Sequence, residues 1–442
     1  MRRRPIWWWL GAAWACAGGP APASAPAAAP YDSAAGLATF DAAWRIVRDS
    51  HFDTTFNGVD WNAERDVWRP RAEAARDPAA LRAAIGGMLE RLGQSHFALI
   101  PRETADTLAP NGDSAAAEVG DLGLDVRLIG DELVITTVEP GGPAAAAGLR
   151  PGWVVVAVGG QPMAELLLRV RESERQRAPA FVLWSAAQAR MAGPVGSTCG
   201  LVVRDDARQE RTLELRRRAQ PAQPVKFGSL PTFFARFTSR ETRTPAGRSV
   251  GVIWFNFWMV PLIRQVDSAM DAYRGLDGVV VDLRGNRGGL AAMIVGVAGH
   301  FLDARDTLGT FQMRQSSLRI VANPRRVSRT GTRVSPFAGP VAVLVDEGSA
   351  SASEVFAGGM RALGRVRVFG AASAGAVLPA VWDRMPNGDI LYHAIAEFVT
   401  AGDERLEGRG VMPDEPVALT RHDLLAGRDP VLDAALAWID RR

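Results

Sequence analysis

Apolar positions near the start of the chain recur with a helical period. From residue 34 to about residue 101 they return every three or four positions, which is typical of amphipathic helices. Gly93 ends the last of these segments, and an extended stretch begins just after it. The pattern therefore predicts a small helical domain. Its two clearest apolar stripes are Phe40, Ala43, Trp44 and Val47, and Leu81, Ile85, Met88, Leu89 and Leu92.

A second region, from about residue 119 to residue 217, has the short apolar runs and turn residues of β structure. The longest Gly- and Pro-rich turn spans residues 139–152. Residues 164–190 interrupt this pattern with an amphipathic, Arg-rich sequence. The region is predicted to be a β module, with strands at residues 123–126, 133–135, 154–158, 201–203 and 213–215.

The rest of the chain alternates strands with helices. Its strands are short runs rich in Val, Ile and Leu, as expected for strands that are buried on both faces of a parallel sheet. Such alternation is typical of an α/β domain, so the predicted fold class is multidomain α/β. The predicted strands are residues 250–255, 278–283 and 341–345, and the predicted helices are residues 262–273, 290–301 and a segment that starts near residue 352.

A serine-rich junction lies between the strand 341–345 and the helix that follows it. Ser351 stands at this junction, where free backbone N–H groups surround a hydroxyl at a helix N-terminus. An acyl-transfer enzyme would place its nucleophile there. The alternative is that Ser349, Ser351 and Ser353 are helix caps and small packing residues.

A glycine-rich turn, residues 284–289, follows the strand 278–283. Glycines at such a point let backbone N–H groups approach a reacting carbonyl, as an oxyanion hole requires. A phosphate-binding loop is not indicated, because no Lys-Ser/Thr pair follows the glycines.

Charge and histidine spacing exclude some classes of partner. Basic residues number 51 and acidic residues 48, so the net charge is only +3, and no long basic block is present. Nucleic acid is therefore not predicted as a partner. The histidines have neither His-x-x-x-His nor Cys-pair spacing, so no metal or other cofactor is expected.

The first 30 residues resemble an export signal. A positive segment, Arg2–Arg4, precedes the apolar run 6–15 and an Ala/Pro-rich stretch, so the protein is expected in the periplasm or cell envelope. Cys16 is a candidate for lipidation, which would be the only expected membrane attachment. Cys199 then has no partner within the chain, so no disulfide is predicted.

The β module, residues 116–217, resembles a bacterial PDZ domain through its strands and the segment 139–152. The resemblance implies that a peptide is added as an extra strand, with its terminal carboxylate held by backbone N–H groups. Leu122-Gly123-Leu124 is the candidate loop for that carboxylate. The alternative is that the module packs only as a lid or spacer.

Two motifs of the C-terminal region resemble the C-terminal processing (tail-specific) peptidases and their tricorn-like relatives. They are Asp282-Leu283-Arg284-Gly285-Asn286-x-Gly288-Gly289 and Glu347-Gly348-Ser349-Ala350-Ser351-Ala352-Ser353-Glu354. The resemblance implies a peptidase core of the ClpP/crotonase type. It also implies that Ser351 is the nucleophile and that the amides of Ala352 and of Gly288 or Gly289 bind the oxyanion.

The two branches of that family use different general bases. In the processing-peptidase branch the base is a lysine, and Ala376 occupies the matching position here, while Lys226 is the only lysine in the chain. Arginine cannot replace it, because its pKa stays above about 12. The tricorn-like branch uses a histidine from a Ser-His pair and a distant glutamate. By this resemblance His96 is the base, Glu407 orients it and Ser95 adds a side-chain hydrogen bond.

The sequence thus predicts an exported serine endopeptidase that cleaves unfolded or tail-exposed polypeptides, which it would bind through free C-termini. One alternative is an inactive peptide-binding protein, because alanines replace acidic and glycine positions within residues 371–376. Another is a protein that binds small apolar ligands on the same core. The predicted divisions are a leader (1–30), a helical domain (31–112), the PDZ-like module (116–217), a linker (218–228) and the peptidase core (229–442).

Overall fold

The computed structural model describes residues 31–102, 119–171, 178–225 and 233–442. The predicted leader with Cys16, the end of the predicted helical domain and Lys226 in the linker lie outside these residues. Within the described ranges, no helix combines the length and the apolar character needed to cross a bilayer.

Three helices form the N-terminal domain: α1 (Ser33–Ser50), α2 (Trp61–Glu73) and α3 (Pro78–Glu90), with a 3-10 turn at Phe56–Gly58. An aspartate caps each helix by accepting hydrogen bonds from the first free backbone N–H groups, as N-caps do. The helices bury the predicted stripes against each other. Large side chains in this core include Phe40, Trp61, Leu81, Ile85, Met88, Leu89, Leu92 and Phe97.

The helical domain is joined to the C-terminal core through a shared sheet. Strand β1 (Ala98–Ile100) pairs antiparallel with β21 (Ile390–Ala394), which pairs with β20 (Ala380–Arg384). An ion pair of 2.6 Å between Arg82 and the fully buried carboxylate of Asp389 stabilises this connection between the helical domain and the core. The segment around His96 is therefore fixed to the core, although it is remote from the core in sequence.

The PDZ-like module is a five-stranded antiparallel sheet in the order β3-β4-β5-β8-β9, with a short β6 paired to β5. Its strands are β3 (Leu124–Ile129), β4 (Glu132–Val138), β5 (Val154–Val158), β6 (Gln161–Pro162), β8 (Thr198–Arg204) and β9 (Glu210–Arg216). Its helices are α4 (Pro143–Ala146), α5 (Met163–Arg171) and α6 (Pro179–Met191). The region predicted to be amphipathic is thus the two helices α5 and α6. Cys199 lies in the core of the module as a free thiol.

Two small sheets flank the linker region. Strands β10 (Arg218–Ala219) and β7 (Gly193–Pro194) pair with β2 (Val119–Asp121), and β11 (Gln223–Val225) pairs with β12 (Phe233–Ala235). Because β10 pairs with β2, the end of the module folds back onto its beginning.

The core contains a six-stranded sheet in the order β13-β14-β15-β18-β19-β23, parallel except at β13. Its strands are β13 (Phe237–Arg243), β14 (Ser249–Phe255), β15 (Gly278–Asp282), β18 (Val341–Val345), β19 (Arg367–Gly370) and β23 (Glu415–Pro416). A second, antiparallel sheet consists of β17 (Ser317–Ala322), β16 (Asp306–Met313) and β22 (Ala396–Thr400).

Helices cover both faces of the six-stranded sheet. Alternate strand residues point to opposite faces: Val279, Val281 and Val343 pack with one helical layer, whereas Val280 and Leu344 pack with the other. The first layer is α7 (Ile263–Tyr273), preceded by a 3-10 turn at Val260–Leu262, with α8 (Ala291–Ala298) and α9 (Ala352–Ala362). The second is α11 (Pro430–Asp440), which follows the short α10 (Arg421–Leu425).

The adjacent strands β15 and β18 run parallel, so the loops that follow them, residues 283–290 and 346–351, meet at one edge of the sheet. This is where ligands bind in open α/β sheets. The predicted helix 290–301 is shorter than expected, and His300, predicted to lie inside it, follows its end. The apolar pattern continues past the helix because Phe301 and Leu302 pack in the same core.

Candidate active site

Ser351 occupies the strand-to-helix junction in a strained backbone conformation. Its φ and ψ are 55° and −116°, which a residue with a side chain rarely adopts. Its N–H is held by the carbonyl of Ala376 at 2.8 Å and by a carboxylate oxygen of Glu354 at 2.9 Å. The surrounding structure therefore determines this geometry and presents the serine at the N-terminus of α9.

Glu354 fixes the backbone beneath the serine. Its carboxylate accepts hydrogen bonds from the N–H groups of Ser351, Gly375 and Ala376 and from the hydroxyl of Ser373, at 2.6–3.0 Å. Burial raises the pKa of this carboxyl to about 7, against the lowering effect of the hydrogen bonds. Glu354 therefore holds the backbone of the segments that carry Ser351 and Ala376.

The glycine turn contacts the serine directly. A Cβ added to Gly288, whose φ is +95°, would lie 2.6 Å from Ser351 Cβ and 3.0 Å from the amide nitrogen of Ala352. Only glycine fits this position without a clash. The side chain of Asn286 accepts a hydrogen bond from the Gly288 N–H at 3.0 Å and donates to the Phe255 carbonyl at 2.7 Å, so it fixes the turn.

The predicted oxyanion donors differ in their availability. The Gly288 N–H is already bonded to Asn286. Within the described ranges, no backbone or side-chain acceptor bonds the N–H of Gly289 or of Ala352. Of the three candidate amides, these two are free to bind an oxyanion.

The predicted base and its partners meet on the other side of the site. His96 has a φ of 63°, and its Nδ1 lies 2.6 Å from the hydroxyl oxygen of Ser95. That hydroxyl bonds Glu407 Oε2 at 2.9 Å, and the Ser95 N–H bonds Glu407 Oε1 at 2.7 Å. The Ser95 hydroxyl therefore connects Glu407 to His96.

Ala376 and Val377 connect the base to the nucleophile. The Ala376 carbonyl bonds the Ser351 N–H, and the Val377 N–H donates to Glu407 Oε2 at 3.0 Å. Two consecutive residues thus hold both halves of the site together. The structure forms no hydrogen bond between the described His96 ring and Ser351 Oγ. Ala376, where the lysine branch has its base, acts here only through its backbone.

The surroundings of His96 favour its neutral form. Burial lowers the pKa of the imidazole to about 4, because a charge is poorly solvated there. The ring of Tyr392 lies 5.4 Å away between centroids, and Trp382 packs against Tyr392 at 4.5 Å. At pH 7 the imidazole is therefore neutral, and one of its ring nitrogens has a lone pair that can act as a base.

Three other histidines form hydrogen bonds with residues outside the candidate active site. His51 bonds Gln94, His300 bonds Asp267 at 2.8 Å and His393 bonds Asp383 at 2.8 Å, and each is almost fully buried. In the described part of the chain, no group of three His, Cys, Asp or Glu residues is arranged to hold a metal ion.

The PDZ-like module contacts the loops 283–290 and 346–351, which carry the glycine turn and Ser351. The sequence did not predict these contacts. Arg127 of β3 forms a 2.6 Å ion pair with Asp346, whose other oxygen accepts the N–H groups of Gly285 and Gly348 at 2.9 Å. The only signal in the sequence was that Arg127 directly follows the predicted strand 123–126 and that Asp346 directly follows the predicted strand 341–345.

The predicted carboxylate loop opens β3. Leu122 is buried, Gly123 has a φ of +69° and the Gly123 N–H donates to the side chain of Asp121 at 3.0 Å. Leu124 begins β3, which is the edge strand of its sheet, and α6 lies beside it through the Trp184–Asp125 hydrogen bond of 2.9 Å. The loop therefore lies where an added strand would begin.

Comparisons with known proteins match all three parts of the chain. Residues 37–90 match the tricorn protease C1 domain, residues 134–171 a PDZ domain and residues 250–417 peptidase family S41. The carboxyl-terminal-processing protease of a Picosynechococcus species is 27% identical over 380 residues, covering 85% of this chain and 81% of that protein. Carboxyl-terminal-processing peptidase 2, chloroplastic, of Arabidopsis thaliana is 26% identical over 389 residues, covering 85% and 67%.

A solved structure with the same overall fold is the photosystem II D1 C-terminal processing protease. It superposes with a TM-score of 0.58 at 25% identity, covering 86% of this chain and 93% of that one. The likeness thus extends over the helical domain, the PDZ-like module and the core.

Proposed function

This chain is a serine-type peptidase with the domains of the family S41 processing proteases, and we propose that it cleaves polypeptides through Ser351 and His96. The matches confirm the predicted fold class and the predicted peptidase, and they support hydrolysis rather than inactive binding. One observation carries the assignment of residues. A continuous set of hydrogen bonds runs from His96 through Ser95, Glu407 and Val377 to the segment that holds Ser351.

The hydrogen bonds define the tautomer of the base. Ser95 has one hydroxyl proton, and the carboxylate of Glu407 can only accept it. The Ser95 oxygen must then accept a hydrogen bond from Nδ1–H of His96, which leaves a lone pair on Nε2. Ser95 and Glu407 thus do for His96 what the aspartate of a Ser-His-Asp triad does for its histidine.

The reaction then proceeds in two steps. The Ser351 oxygen attacks the peptide carbonyl while its proton moves to His96 Nε2, and the same proton passes to the leaving amine as the C–N bond breaks. Water, deprotonated by Nε2, next releases the acyl group and regenerates the serine. We assign the oxyanion to the free N–H groups of Ala352 and Gly289, with Gly288 as the spacer that lets them approach.

Substrate binding completes the contact between nucleophile and base. Catalytic hydrogen bonds in free enzymes are often formed only when substrate is bound. A rotation of the Ser351 side chain changes the position of Oγ without disturbing the backbone bonds to Ala376 and Glu354. We infer that the hydroxyl reaches the imidazole when substrate is bound.

The PDZ-like module supplies a binding edge for the polypeptide. We assign strand addition to β3 and capture of the terminal carboxylate to Leu122-Gly123-Leu124, where the substrate carboxylate would replace the Asp121 side chain as the acceptor of the Gly123 N–H. The leader-like first 30 residues support export to the cell envelope as part of the proposal.

Labelling with a serine-directed fluorophosphonate tests the nucleophile. We expect one covalent adduct per chain, which peptide mass spectrometry locates on Ser351, because the adjacent base and free amides favour attack at that hydroxyl. Denatured protein, in which the site is disassembled, serves as the control and should not react. An adduct on another serine, or none on the folded chain, would contradict the assignment.

The Ser95→Ala variant tests the hydrogen-bond chain. Loss of the hydroxyl disconnects His96 from Glu407 but leaves the imidazole in place, so kcat should fall roughly 10- to 100-fold with little change in KM. Ser95→Thr keeps a hydroxyl and should recover most of the rate. The measurement is steady-state hydrolysis of an unfolded casein or a fluorogenic peptide. Equal rates for Ser95→Ala and the wild type would show that Ser95 does not position the base.

A further inference from the structure

Arg287 lies inside the glycine turn, next to the residue that contacts the nucleophile. Its guanidinium is stacked over the indole of Trp184 on α6, 4.3 Å from the ring centroid. The side chain is thereby held at the boundary between the PDZ-like module and the core. Gly288 follows it directly and allows the loop to pass against Ser351 Cβ.

The guanidinium of Arg287 has no polar partner within the described ranges. No hydrogen bond or ion pair to it is formed there, and none of its nitrogens is enclosed by protein. Burial lowers its pKa to about 10, with the charge of Arg127 acting in the same direction and the charge of Asp125 acting against it. The positive charge is therefore only partly solvated, and Asp125 acts on it while forming its ion pair with Arg127 instead.

The neighbouring carboxylates are already used by other donors. Asp125 accepts hydrogen bonds from the side chains of Trp184, Gln188 and Arg127 and from the Val126 N–H. At Asp346 the donors are Arg127, two loop N–H groups and the hydroxyl of Ser349. Arg127 thus pairs with both acids, while Arg287 remains open to an incoming group.

The shape of this site selects one kind of ligand. A guanidinium presents a planar fork of N–H groups that matches a carboxylate in a two-point contact. Stacking on an indole fixes the plane of the fork and leaves its edges free. A partly desolvated cation also gains more from such a pairing than one in bulk water. A carboxylate carried by a bound polypeptide satisfies all three conditions.

We propose that Arg287 binds a carboxylate of the polypeptide substrate, either its C-terminal carboxylate or an Asp or Glu side chain, within a few residues of the bond that is cut. The inference rests on the proposed function, because it takes Ser351 as the point of cleavage. Arg287 is then a specificity-determining residue.

Matched fluorogenic peptides test the proposal and separate the two sources. In one pair the free C-terminus is replaced by an amide, and in the other an internal glutamate is replaced by glutamine. For the wild type, kcat/KM should fall roughly 10- to 100-fold in whichever pair loses the bound carboxylate, which is the range for a hydrogen bond to a charged group. Arg287→Gln should show the same loss on the carboxylate peptide and a change of less than about twofold on its neutral match.

Two further variants identify the cause of any loss. Arg287→Lys keeps the charge but not the fork, so it should give an intermediate rate on the carboxylate peptide. Arg211→Gln removes a matched Arg–Trp stack, 5.3 Å long against Trp153 of the PDZ-like module, and should behave as the wild type. Equal losses of Arg287→Gln on carboxylate and neutral peptides would mean that the arginine only supports the fold, and the proposal would be overturned.

Binding measurements keep this test independent of catalysis. In a Ser351→Ala background, fluorescence anisotropy should show weaker binding of the neutral peptide than of the carboxylate peptide, and Arg287→Gln should remove that difference. If the wild type cuts no peptide but the binding difference is present, the proposed function fails and the role of Arg287 stands. Cleavage with no preference for a carboxylate in either assay overturns the role of Arg287 alone.

Discussion

Replacement of Ser351 by alanine is expected to lower kcat by about 10⁴-fold or more while leaving the fold intact. The change removes only the hydroxyl. The bonds to Ala376 and Glu354 that hold this residue in its strained conformation are made by its backbone N–H. Because alanine tolerates a φ of 55° about as well as serine does, no additional strain is created. The turnover of an unfolded casein measures the loss of kcat, and the midpoint of thermal unfolding measures whether the fold is intact.

A nearby serine provides the matched control. Ser353 lies two positions further along, is fully buried, accepts a hydrogen bond from Trp258 Nε1 at 2.9 Å and donates to the Asn286 carbonyl at 3.0 Å. Ser353→Ala should therefore lower stability by about 1 kcal/mol or more and change kcat much less than Ser351→Ala does. If Ser351→Ala instead lost stability and kept its turnover, Ser351 would be a helix cap, which is the alternative that the sequence left open.

Local sequence signals account for the parts of the site that depend on one segment. The strand, turn and helix around Ser351 follow from an apolar run, small residues and a helical apolar pattern within about 25 positions. The glycines at 288 and 289 come shortly after the predicted strand 278–283, where the chain has to turn close to another loop. They were therefore also visible as a local pattern. In both cases the constraint is a short-range steric one, so it leaves a visible pattern in the sequence.

The hydrogen-bond chain of the base could not be derived in the same way. Ser95 and Glu407 are 312 positions apart, and their contact depends on β1 pairing with β21 of the core. The resemblance identified Ser95, His96 and Glu407 as partners, but it could not establish the order of contact. That order is set by side-chain reach, because Glu407 also binds the backbone of Ser95 and Val377.

Contacts between domains could also not be predicted from the sequence. The Arg127–Asp346 ion pair and the stacking of Arg287 on Trp184 each join the PDZ-like module to a catalytic loop. Single charged residues in strands and turns are common, and their spacing has no period that identifies a partner in another domain. A change in the position of the module would therefore act directly on the loops that hold Ser351 and the proposed oxyanion amides.

Replacement of His96 by glycine should remove the general base without strain and allow chemical rescue. His96 has a φ of 63°, a conformation that glycine adopts freely, so the backbone conformation should not change. Loss of the base is expected to lower kcat by about 10⁴-fold, as removal of a triad histidine does. The vacated space lies between Ser95 and Tyr392, which contact the native ring at 2.6 Å and at 5.4 Å between centroids, so added imidazole can bind there.

The rate of the imidazole-rescued variant should depend on pH differently from the rate of the wild type. Free imidazole is a base only when neutral, so the rescued rate should rise as pH increases through about 7. In the wild type, burial lowers the pKa of His96 to about 4, so the base should stay neutral well below pH 6, and a decline near pH 7 would come from protonation of Glu354, whose pKa burial raises to about 7. Arg208→Gly, at another non-glycine residue with a φ of 63°, controls for the added backbone freedom. A His96→Gly enzyme with full activity, or one that imidazole does not stimulate while phosphonate still labels Ser351, would exclude His96 as the base, because the nucleophile would then be activated by another group.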